Sequence, residues 1–112
     1  MRSFVAFLVA GFISTAQASE VNDTKISQIG FNKQYGNFVF VKLEKSASRI
    51  SCSTNGFWDY TLSLEGDIGK SIYSSLLAAY MAGKTVTVYG LSTPACNEFA
   101  SVESISGLWV KN

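Results

Sequence analysis

The chain has no histidine, only two cysteines and one proline in 112 residues, and no more than 15% of it is charged. Without an imidazole the usual base at neutral pH is missing, so Ser-His and Cys-His nucleophilic pairs are excluded. A metal or redox role for Cys52 and Cys96 is weak, because no Cys-x-x-Cys spacing exists and no histidine completes a site. No glycine-rich phosphate loop or metal-ligand spacing occurs, so neither a metal nor a cofactor is expected. Basic residues are few and unclustered, which argues against a nucleic-acid partner.

What is present begins with "MRSFVAFLVAGFISTAQA": one cation at Arg2, an apolar run over residues 4–13, and a small-x-small ending at Ala16-Gln17-Ala18. These are the three regions of a secretory signal peptide, with cleavage expected before Ser19. The run is far shorter than the roughly twenty residues that span a bilayer. No later stretch reaches that length, and no cysteine follows the cut to carry a lipid. The mature chain, residues 19–112, is expected to be a soluble single domain, secreted or periplasmic, with eight basic and eight acidic residues. An exported chain meets an oxidising compartment, so Cys52 and Cys96 are expected to pair. Closing a loop of about 45 residues stabilises a fold by roughly 4 kcal/mol on the chain-entropy model.

Period-2 patterning dominates the mature sequence. Residues 24–33, "TKISQIGFNK", read as a first strand, with Gly30 expected to mark a bulge or bend. A turn at Gly36-Asn37 leads into "NFVFVKLEK", where Val39, Val41 and Leu43 oppose Phe38 and Phe40, as in a strand covered on both faces. A small, polar loop, "SASRISCSTNG", ends in an Asn55-Gly56 turn signal. Trp58, Tyr60, Leu62 and Leu64 then alternate with Asp59, Thr61, Ser63 and Glu65, which predicts a half-buried third strand with the second set facing out.

The period changes in "DIGKSIYSSLLAAYMAGK". Tyr73, Leu76, Leu77 and Tyr80 fall at helical spacing, widened by Ile72 and Met81, and Gly83 sits where a C-cap belongs. A helix near residues 70–82 is predicted. "KTVTVYG" is a short strand, "LSTPACNEF" a loop, and "ASVESISGLWV" a last strand expected to bend at Gly107. The predicted fold is mostly β with one helix: a five-stranded OB-fold-like barrel in the order β-β-β-α-β-β. A flat α+β sheet has the same element order and stays open.

Acidic residues offer little chemistry. Glu65 and Asp67 stand where strand meets helix, and Asp67 is expected to cap the helix. Lys70 and Ser71 are adjacent on a helix and point apart, so they form no dyad. The aromatic residues remain. Trp58, Tyr60, Tyr73 and Tyr80 are expected in the core, whereas Tyr35 in a turn, Tyr89 on the polar side of its strand and Trp109 near the terminus are harder to bury. Such side chains stack on sugar rings or bury against a partner, although scattered surface aromatics are also common.

Cys52, Trp58 on an alternating strand, "YSSLLAAYMAGKTVTVYG" and Cys96 together resemble the B subunits of AB5 toxins of the subtilase-cytotoxin and pertussis-like group, and small exported relatives. Those are OB-fold chains in which a helix with a Tyr-x-x-Leu-Leu-x-Ala stripe precedes a Gly-Lys-x-Val-x-Val strand. The resemblance implies a non-enzymatic, glycan-binding subunit that forms a homo-oligomeric ring and acts with an enzymatic A subunit. It also implies that Asn22, followed by Asp23, occupies the place where the group carries a sialic-acid-binding serine. The ligand-binding candidates are therefore Asn22, Asp23, Tyr35 and Tyr89. A monomeric periplasmic or secreted protein-interaction module, of the inhibitor or immunity type, is the alternative from the residues alone.

Overall fold

The computed structural model describes residues 19–45 and 50–112. The expected signal segment, residues 1–18, and the first four residues of the expected polar loop, 46–49, lie outside the described residues. Six strands and one helix follow in order: β1 (Glu20–Thr24), β2 (Ile26–Phe31), β3 (Phe38–Leu43), β4 (Tyr60–Ser63), α1 (Gly66–Ala82), β5 (Thr85–Gly90) and β6 (Glu103–Lys111). The strands make one curled sheet, β1-β5-β6-β4-β3-β2, antiparallel throughout except where β4 runs parallel to β6 with Tyr60 opposite Glu103. The fold is mostly β with one helix, a half-barrel broadly of OB-fold type.

Two features of the sequence-based order need correction. The described residues form six strands rather than five, and α1 follows the fourth strand instead of the third. The cause lies in the first strand. It begins earlier, at Glu20, and is divided at Lys25 into β1 and β2, which pair with opposite ends of the sheet. Asp23 adopts a left-handed φ of 52°, the β1–β5 register slips between Val21 and Thr24, and the β2–β3 register slips between Ile26 and Gln28. Bulges of this kind turn a strand sharply. Gly30, by contrast, sits in regular pairing with Phe40. At Gly107, where a bend was expected, the β5–β6 register slips between the Tyr89–Gly107 and Gly90–Ile105 pairs, within the continuous strand β6.

β3 is buried on both faces, as its two apolar sets predict. Val39, Val41 and Leu43 pack with Tyr60, Leu62, Val86 and Val88 against Leu76 and Ala79 of α1. Each such side chain contributes about 1.5–3 kcal/mol through burial. Phe38 and Phe40 face the other way and form a second, smaller core with Val102, Phe99 and Trp58. Asp59 and Thr61, which the alternation had facing solvent, are buried as well. The Asp59 carboxylate accepts the Leu43 N–H at 2.8 Å, so its place is structural.

α1 starts at Gly66, four residues before its expected start, because glycines at 66 and 69 weaken the helical signal of the first turn. Glu65 is the N-cap residue and makes no side-chain capping bond. Asp67 does not cap; it lies in the first turn, where its charge complements the helix dipole. Gly83 closes the helix at φ 67°, with the Lys84 N–H donating to the Ala79 carbonyl at 3.0 Å. Tyr80 and Leu77, expected in the core, are exposed, and Tyr73 is partly buried at its edge. Cys52 and Cys96 form the expected disulfide, with 6.2 Å between Cα atoms.

Candidate functional site

The second core opens to solvent as an aromatic cleft. Gly30, Phe31 and Asn32 at the end of β2, Tyr35 in the following turn, Phe40 of β3 and Trp58 line it. The rings hold one another at fixed angles. Phe40 lies 5.3 Å from Trp58, and Tyr35 meets Phe99 edge-on at 5.4 Å. Phe57 stands perpendicular to Trp58 at 4.9 Å, with the Lys42 ammonium over its outer face.

Two local devices position Trp58. The Asn55 side-chain oxygen accepts the N–H groups of Phe57 and Trp58, both at 2.8 Å, which fixes the turn that the Asn55-Gly56 signal predicted. The Cys52–Cys96 bond then ties this loop to the one after β5, which carries Phe99. The disulfide therefore joins the two chain segments that cover Phe38 and Phe40.

Phe31, 66% exposed, separates this cleft from a neighbouring one lined by Lys33, Asn37, Phe38, Leu64 and Tyr73. The double cleft thus offers apolar ring faces, the Asn32 amide and one lysine. A third groove runs between α1 and β6, where exposed Ile68 and Trp109 flank partly buried Ile72, Tyr89 and Leu108.

The four ligand-binding candidates from the sequence do not converge. Tyr35 lines the aromatic cleft and Tyr89 lines the α1–β6 groove. Asn22 and Asp23 line none of these three clefts; they belong to the bend that ends β1. The Asn22 carbonyl accepts from the Lys45 ammonium at 3.1 Å, and the Asp23 carboxylate pairs with Lys111 at 2.8 Å. The Lys111 hydrogen bond and charge hold the Asp23 carboxyl below its ordinary value. Trp109 is 62% exposed beside Tyr89. Sequence reasoning missed Phe31 and Asn32, whose only signal was their position between a strand and a turn, and it placed Trp58 in the core without its open side.

Tyr60 is the other perturbed group. Burial pushes its phenol well above the ordinary value, the Ser19 hydrogen bond opposes this, and the charges of Glu103, Asp59 and Glu20 add to the rise. Among the described residues no three His, Cys, Asp or Glu side chains gather as a metal site, and no helix is long and apolar enough to cross a membrane. No protein-family model matches the chain, and no curated protein matches it significantly. The geometry alone therefore carries the functional reading.

Proposed function

We propose that the chain is an exported, non-enzymatic binding module that holds a carbohydrate in the aromatic cleft, in the manner of a toxin B subunit. The observation that carries this is the pair Tyr35 and Trp58, fixed by ring contacts and by a disulfide, beside exposed Phe31 and Asn32. Sugar rings present flat C–H faces that stack on aromatic side chains, and the amide meets their hydroxyls. Lys33, across Phe31, supplies the cation that an acidic sugar such as a sialic acid needs. The disulfide fits an oxidising compartment outside the cytosol.

The groove with exposed Ile68 and Trp109 at its rim supports self-association into a ring. A second reading, a monomeric protein-interaction module, draws on the same groove as a docking face for a different chain. Light scattering of the signal-free protein separates the two. The carbohydrate reading is tested on immobilised glycans, followed by calorimetry of Tyr35→Ala. Saturable binding that this substitution weakens about tenfold is the expected result. A folded protein that binds no glycan removes the reading.

A further inference from the structure

Glu103 on β6 is 0% exposed, and its carboxylate is committed to the first described residue of the chain. The Ser19 N–H donates to Oε2 at 3.1 Å, and the Ser19 hydroxyl donates to Oε1 at 2.8 Å and Oε2 at 2.7 Å. The Tyr60 hydroxyl lies against the same serine oxygen. On the other side the Gly90 N–H donates to the Ser19 carbonyl at 2.9 Å. A Cβ on Gly90 would stand 2.0 Å from Glu103 Oε2, so a larger residue there displaces the carboxylate from this position. Ser19 is itself buried. Among the described residues the salt bridge formed is Lys111 with Asp23, and no side-chain cation reaches Glu103. A buried carboxylate without a cation is costly unless a counter-charge arrives.

We propose that Glu103 is a built-in receptor for the α-ammonium group created when the chain is cut between Ala18 and Ser19. The proposal rests on the export reading and goes beyond it: processing completes the fold. Hydrolysis breaks the Ala18–Ser19 peptide bond, adding the water hydroxyl to the Ala18 carbonyl and its proton to the Ser19 nitrogen, which takes a second proton from solvent. That nitrogen already sits at hydrogen-bond distance from Oε2. A peptide N–H becomes a cation with three donors, facing a carboxylate that no other cation of the described residues reaches.

The titratable groups around this nitrogen are Glu103 from β6, Tyr60 from β4, Glu20 from β1 with Tyr89 opposite it on β5, and Asp59, which acts on Tyr60. None is a cation. An amine that gains an anionic partner titrates higher in the folded state. The added stability is therefore complete below about pH 8 and is lost as pH rises through the folded value.

The test compares the chain beginning at Ser19 with one that retains Ala18, each with Glu103 or Glu103→Gln. At pH 7 the processed form is expected to melt higher by roughly 5–15 °C. The gap is expected to vanish in Glu103→Gln and to close at strongly alkaline pH. Equal melting temperatures, or a gap that survives Glu103→Gln, overturn the pairing. Should Glu103→Gln not fold, acylation of the terminal amine at pH 7 decides. Labelling at least about tenfold slower in the folded than in the unfolded processed chain supports the pairing, and equal rates overturn it. The N-terminal residue of the exported protein checks the export reading separately: a terminus other than Ser19 overturns the proposal at that step, whatever the melting data show.

Discussion

The Trp58 indole lies against the backbone of Gly30, so closely that a Cβ on that glycine would stand 3.0 Å from the ring edge. β2 and the loop before β4 thereby meet at one side of the aromatic cleft. Gly30→Ala displaces the indole by a few tenths of an ångström. The fold is expected to lose about 1–3 kcal/mol, while saccharide affinity and the near-ultraviolet circular dichroism of Trp58 change. Calorimetry and spectra of the variant check this. An unchanged cleft would mean that the glycine serves the strand alone.

Breaking Cys52–Cys96, which spans 44 residues, is expected to cost roughly 4 kcal/mol. Its effect should fall first on the loops carrying Trp58 and Phe99, since these cover the second core. The Cys52→Ser/Cys96→Ser protein should keep its far-ultraviolet spectrum at low temperature, melt earlier and lose the near-ultraviolet signal before it unfolds. Loss of both signals together would show that the disulfide holds the whole sheet.

The sequence carried the alternating strands, the helix, the Asn55 turn and the cysteine pair, because each is a local pattern or a choice with one outcome. It did not carry the break at Lys25. That break depends on Asp23 taking a left-handed conformation against Lys111, 88 positions away, and on pairings at opposite ends of the sheet. Trp58 alternates like a core residue, and its open side exists only because Phe31 and Tyr35 lie next to it in space. Asp59 and Thr61 look solvent-facing by alternation, yet both are buried by partners distant in sequence, Asp59 accepting from Leu43 and Thr61 donating toward Glu98.

Tyr60 sets an alkaline limit. Its phenol is raised by burial in the folded state, so the unfolded chain deprotonates first. Stability from the neutral phenol is complete below about pH 10 and falls by about 1.4 kcal/mol per pH unit above it. Urea unfolding between pH 9 and pH 11 should show this loss in the native protein, with a shallower loss in Tyr60→Phe. Parallel slopes would place the alkaline sensitivity elsewhere.

Gly90→Ala forces a methyl group into the Glu103 carboxylate, which Ser19 holds in place. A loss of about 1–3 kcal/mol in urea unfolding is expected. Alanine at Gly56, where a Cβ meets nothing within 4 Å, should cost far less.

The most direct measurement uses Trp109→Phe, which leaves Trp58 as the sole tryptophan. The variant is titrated with a saccharide that the native protein retains on immobilised glycans, while indole emission is followed. Saturable quenching or a blue shift, with the Kd found by calorimetry, is the expected outcome. A saccharide that binds while the Trp58 emission stays constant would move the site away from the aromatic cleft, and a native fold that retains no saccharide would contradict carbohydrate binding altogether.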